Sequence, residues 1–189
     1  MKKIFMLLLM ILNPLLITSC VKEVDSKEYI SWVKDFENGL HVIKESNGII
    51  FDLQYQPNDY VFLMSKENGD GQMLEHDKQI HHFVLNINLS NHDASDNSPQ
   101  AETYQEMIYY FSYLFQNDLK LEESEVILPC IMFHFEKAQS KADRMTFILG
   151  FESRVADAKQ LKLMLNSKYF GSLPINMEIV KKNIPSLKI

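Results

Sequence analysis

His81-His82-Phe83-Val84-Leu85-Asn86-Ile87-Asn88-Leu89-Ser90 decides the fold class of this chain. His81, Phe83, Leu85, Ile87 and Leu89 alternate with His82, Val84, Asn86, Asn88 and Ser90, the period of two that gives a strand one apolar face and one largely polar face. A parallel strand covered by helices on both sides reads as an unbroken apolar run. The alternation here therefore predicts an antiparallel sheet with a wetter side.

Upstream, residues 40–46 and 49–55 flank Asn47-Gly48, the turn dipeptide of a two-residue hairpin. Ile49, Phe51, Leu53 and Tyr55 share one face of the second arm. Before the hairpin, Asp25 and Glu28 form a capping box, and Tyr29, Trp32, Val33 and Phe36 follow at helical spacing, so a short helix should run to Asn38-Gly39. Tyr60 to Ser65 reads as a further strand and Asn68 to Gly71 as a loop. Downstream, residues 90–100 are polar, and Ser98-Pro99 offers a helix start. The helix should extend to about Asn117, with Tyr104, Met107, Ile108, Phe111, Leu114 and Phe115 on one stripe. Residues 130–136 and 144–152 read as two strands and 173–181 as another, whereas 154–166 fit helix or strand equally. The sum is an α+β fold: a mainly antiparallel sheet of about six to eight strands, with one long amphipathic helix and one short N-terminal helix packed on it.

The first twenty residues are of a different kind. Lys2-Lys3 precede an apolar stretch to Ile17, broken by Asn13-Pro14 and too short to span a bilayer, which is the layout of a cleaved export signal. The stretch closes on Ile17-Thr18-Ser19-Cys20, an aliphatic residue, two small residues and a cysteine. This resembles the lipobox of bacterial lipoproteins. The resemblance implies removal of residues 1–19, acylation of Cys20, a tether over 20–26 and one domain over 27–189, bound to a membrane through its N-terminal acyl chains. Val21-Lys22-Glu23-Val24-Asp25 is similar to the lysine-then-acidic tags of surface lipoproteins of the Bacteroidota. Trp32 through Phe51, Leu53-Gln54-Tyr55 and Phe133-His134-Phe135-Glu136 resemble stretches of small lipoproteins of the same phylum, which implies an envelope address and no specific activity.

The whole chain carries 19 basic and 25 acidic residues, and losing Lys2 and Lys3 leaves 17 against 25, a net charge of −8. No basic stripe is visible, so a nucleic-acid partner is not expected. Once Cys20 is acylated, Cys130 is the one remaining cysteine, and no internal disulfide can form.

Cys130, His134 and Glu136 fall on one face of a strand and bring together a thiol, an imidazole and a carboxylate, which makes them weak candidates for a metal site or a metal-dependent hydrolase. Strand residues two apart are separated by roughly 6.6 Å, and Cys130 and His134 by about twice that, so these three alone cannot share an ion. Asp93 to Asn97 opens like a calcium loop but lacks its later glycine and glutamate. No nucleophile elbow or phosphate-cradling glycine loop occurs, and no cofactor is expected. Tyr109, Tyr110 and Tyr113 lie wholly or partly off the core stripe of the long helix, and tyrosines in that position suit recognition of a protein or glycan partner. The functional expectation is a non-catalytic binding or accessory lipoprotein, with an inhibitor or self-protection role as the alternative.

Overall fold

The computed structural model describes residues 22–67, 79–89, 101–137, 144–155 and 158–188. Among them are eleven strands in three sheets and three α-helices, so the α+β, mostly antiparallel reading holds at the level of class, with more strands than expected.

β1 (Glu23–Val24) leads into α1 (Ser26–Lys34). The Asp25 carboxylate accepts from the Glu28 N–H, the cap that the sequence announced, and Tyr29 and Val33 face the core. A 3-10 turn over Phe36–Asn38 ends at Gly39, whose φ of 75° is left-handed. β2 (His41–Ser46) and β3 (Ile49–Gln56) form the expected hairpin, with Asn47 and Gly48 at φ 53° and 72°.

Tyr60 to Ser65 is not a strand. It lies in α2 (Asn58–Glu67), where the Val61 N–H reaches back to the Pro57 carbonyl. The apolar residues Tyr60, Leu63 and Met64 recur at i, i+3 and i+4, a helical spacing masked by the short apolar run. β4 (Ile80–Asn88) is the strand of the deciding alternation.

α3 (Ala101–Tyr109) continues through a π-helical stretch, Tyr110–Leu114, and a 3-10 turn, Phe115–Asp118. The expected start at Ser98-Pro99 lies outside the described residues. The wider π turn changes the phase of the stripe: Tyr110 goes into the core at 8% exposure and Leu114 turns out at 43%.

β5 (Leu119–Glu123) and β6 (Val126–Pro129) follow, a hairpin that the sequence reading did not anticipate. Then come β7 (Met132–Lys137), β8 (Arg144–Glu152), β9 (Gln160–Leu165), β10 (Ile175–Val180) and β11 (Ser186–Leu187). The ambiguous segment resolves as strand at β9, with Leu161, Leu163 and Leu165 buried.

One sheet has the order β2-β3-β4-β8-β7, a second β10-β9-β5-β6, and β1 pairs in parallel with β11. This is more than a meander, because β4 pairs with β8 across the excursion through α3, β5 and β6. Phe51, Phe83, Phe147 and Phe151 from the first sheet and Leu121, Leu163 and Ile179 from the second belong to one core cluster. The first sheet's other face carries Asp52, Gln54 and Asn86, with the Thr146 hydroxyl bonded to Asn86, which is the wetter side foreseen. The π stretch and the turn after it wedge Phe111 and Phe115 against Phe147 and Phe170, with ring centroids 5.0–5.9 Å apart.

Val24 is buried, Ser186 donates to the Lys22 carbonyl and Lys188 to the Val24 carbonyl, so residues 23–26 belong to the folded body.

Candidate functional site

Cys130, His134 and Glu136 are not brought together. Cys130 precedes β7 and is buried, its thiol donating to the Met132 carbonyl, while His134 and Glu136 are exposed and 3.7 Å apart on the outer face. The alternation assumed from the sequence breaks because Ile131, donating its N–H to the Gly150 carbonyl, turns outward at 47% exposure. His82 on β4 pairs with Gly150 of β8, whose partner on β7 is Met132 and not His134, so His82 does not add a ligand beside His134. Among the described residues no group of three or more His, Cys, Asp or Glu is placed to hold a metal ion.

Burial pushes the Cys130 thiol up to about 11. Cys130 should therefore resist alkylation in the folded protein and react on unfolding in urea, as peptide mass spectrometry would read. Native-state labelling at the unfolded rate would contradict its position.

Tyr110 is also displaced from its expected role. Its hydroxyl donates to the Asp118 carboxylate and lies 2.8 Å from the Ser167 hydroxyl, so this tyrosine fastens the π stretch to the loop after β9. Tyr109 and Tyr113 remain at the surface, 58% and 69% exposed, with rings 5.2 Å apart.

The polar constellation that the fold does assemble was not foreseen. His81 at the start of β4 and Glu123 at the end of β5 meet between the two larger sheets, Nε2 to Oε1 2.6 Å, with the Glu123 side chain fully buried. The same carboxylate accepts from the Ser153 hydroxyl at 2.8 Å and from the backbone N–H groups of Arg154 and Val155 at 2.7 and 3.1 Å. On the other side of the ring, Nδ1 lies 3.5 Å from the Tyr55 hydroxyl at the end of β3. Three strands and the loop after β8 thus converge on one imidazole and one carboxylate.

Burial lowers the His81 pKa, and the Lys181 charge adds to this, against the opposing pull of the Glu123 hydrogen bond and charge. Burial on its own would raise the Glu123 pKa, but the hydrogen bonds from His81, Arg154 and Ser153 together outweigh it and bring it below its ordinary value. Both directions describe one state: a neutral imidazole donating Nε2–H to an ionised carboxylate, with Nδ1 facing the Tyr55 hydroxyl. Burial first, and then the Glu123 charge, raise the Tyr55 pKa, so that phenol keeps its proton.

Hydroxyl, imidazole and carboxylate in a row are the order in which a nucleophile is activated. Here, however, the hydroxyl is a buried phenol held protonated, and four donors take up the carboxylate. The array pins two sheets together. No protein-family model, curated protein or solved structure matches this chain.

Above the pin lies an open recess of about 610 Å³, walled by Tyr55, Asn58, Gln79, Ile80, His81, Lys181 and residues 152–155. Lys181 sits over the Tyr55 ring, 5.6 Å from its centroid, and Arg154 pairs with Glu152 at 2.7 Å. A signal for this site existed in Leu119-Lys120-Leu121-Glu122-Glu123, whose alternation places Leu119, Leu121 and Glu123 on one face. A carboxylate on that face reads as the end of a strand, and only the opposite sheet supplies the reason it is there.

Proposed function

We propose that this chain is a lipoprotein of the cell envelope, held to a membrane by acyl chains on Cys20, whose folded domain acts as a non-catalytic binding or accessory protein for another envelope or extracellular macromolecule. The anchoring half rests on the lipobox-like Ile17-Thr18-Ser19-Cys20. Among the described residues no helix is long and apolar enough to cross a membrane. The pairing of β1 with β11 fits close attachment, because only Val21 stands between Cys20 and Lys22, whose carbonyl accepts from the Ser186 N–H, a reach of at most about 7 Å. The domain would then ride directly on the bilayer surface.

The observation that carries the binding half is the exposed pair Tyr109 and Tyr113. Two adjacent exposed tyrosines offer a partner apolar area and hydrogen bonds at low entropic cost. The third candidate, Tyr110, serves the core instead.

A tagged, still lipidated copy expressed in its native membranes tests both halves. Cys20→Ser should move the protein from the membrane to the soluble fraction. Tyr109→Ser with Tyr113→Ser should weaken recovery of a cross-linked partner by about ten-fold or more while leaving membrane attachment intact. Membrane retention of the Cys20→Ser protein would refute the anchor, and equal partner recovery with both tyrosines removed would refute the binding surface.

A further inference from the structure

We propose that two copies of this chain associate through β7, each laying its β7 antiparallel beside the other's with Phe135 on the two-fold axis. The inference needs neither the lipid anchor nor Tyr109 and Tyr113.

A strand that ends a sheet has one side of its backbone without a ladder partner, and proteins cover, shorten or blunt such sides. The two larger sheets have four ends of this kind: β2, β7, β6 and β10. β2 and β10 lie alongside each other, and the Lys44 ammonium donates to the Asn176 carbonyl across the join at 3.0 Å. Those two ends close on one another. β6 is four residues long and finishes at Pro129, which has no N–H to offer. β7 is six residues long, contains neither proline nor glycine, and among the described residues has no strand paired to its outer side.

The core side of the sheet shows the same gap. Phe51, Phe83 and Phe147 on β3, β4 and β8 are fully buried, whereas Phe133 and Phe135 on β7 are only partly so. Apolar rings are left half-covered where the sheet stops.

The charges on β7 select the occupant. On the outer face His134 and Glu136, with side chains 63% and 55% exposed, stand on either side of Phe135 in sequence. Their contact within one copy, 3.7 Å at the surface, is worth little and leaves both available. A two-fold axis through Phe135 exchanges the positions flanking it, so His134 of each copy faces Glu136 of the other. Each imidazole then meets a carboxylate, twice over, and the two Phe135 rings meet on the core side. The edge is complementary to itself, which is what a second copy requires. Six paired residues make a ladder roughly 20 Å long and join the two five-stranded sheets into one.

Cysteine placed on the axis tests the pairing in the full-length protein. Opposed strand residues have Cα atoms about 4.5–5.5 Å apart, within the reach of a disulfide. Phe135→Cys should therefore run as a covalent dimer on a non-reducing gel after mild oxidation, a dimer that the parent, with Cys130 buried, does not form. His134→Cys puts its two sulfur atoms out of register and should cross-link at least about ten-fold less, until it is co-expressed with Glu136→Cys. Sedimentation of the unsubstituted protein in detergent should give twice the protomer mass. His134→Glu, which sets carboxylate against carboxylate, should raise the dissociation constant by at least about ten-fold with an unchanged thermal midpoint, and adding Glu136→His should restore it. A protomer mass at about 100 μM, a folded Phe135→Cys protein that gives no covalent dimer, a cross-link to a different protein, or a His134→Glu protein that associates as the parent does would each overturn the proposal. None of these outcomes depends on whether Cys20 is acylated or on Tyr109 and Tyr113.

Discussion

Glu123→Ala should destabilise the fold by about 3–5 kcal/mol, read as a lowered urea midpoint with an unchanged slope. Removing this carboxylate does more than delete one ion pair. It strands the His81 Nε2–H, the Ser153 hydroxyl and the N–H groups of Arg154 and Val155, buried or part-buried donors that all converge on this one carboxylate. Glu123→Gln keeps the shape and one acceptor oxygen, and should cost less than alanine. An alanine variant within about 1 kcal/mol of the parent would show that the two sheets do not depend on this pin.

The same pair gives the stability a pH dependence of definite sign. His81 has an ordinary value of 6.5 and is lowered in the fold, so below that pH the unfolded chain binds the extra proton first and stability falls with acidification. Glu123, lowered from 4.5, holds its stabilising charge above that value and loses it as pH falls through its folded pKa. Both act in one direction: stability is greatest near neutrality, declines below about pH 6.5 and declines again below about pH 4.5. Replacing Glu123 with glutamine should remove the lower of the two declines.

Phe147→Ala is the second large effect, about 3–5 kcal/mol, equivalent to a fall of roughly 6–20 °C in the thermal midpoint. Phe147 on β8 is fully buried and its ring meets those of Phe111, Phe115, Phe133 and Phe135, four neighbours drawn from the π stretch, the turn after it and β7. A methyl group in its place leaves a cavity that rings held by separate elements cannot all move to fill. Phe135, stacked on Phe147 but only partly buried, should cost less when cut to alanine. Calorimetric melts of the two variants check the order, and an equal or reversed order would mean that the aromatic cluster is not centred on β8.

What the sequence determined by itself is local. Period-two alternation in 81–88, Asn-Gly at 47–48 and the Asp25–Glu28 cap each encode their element through neighbours within a few residues, and β4, the β2–β3 hairpin and α1 appear where those signals lie. The lipobox-like segment is equally local, since a processing signal is read from the chain before it folds.

Tertiary structure decided the rest. Tyr60, Leu63 and Met64 satisfy a short strand or a helix equally well until α2 has surfaces to pack on, and Leu161, Leu163 and Leu165 become a strand because β5 and β10 offer edges on either side. Tyr110 and Leu114 exchanged places because a single wide turn, fixed by packing against Phe147 and Phe170, altered the phase that a 3.6-residue period assumes. The pin and its recess depend on Tyr55, His81, Glu123 and Lys181, which are far apart along the chain and share no local pattern. The buried Glu123 carboxylate is stabilised by donors from β4 and from the loop after β8, so its meaning exists only once the two sheets have met.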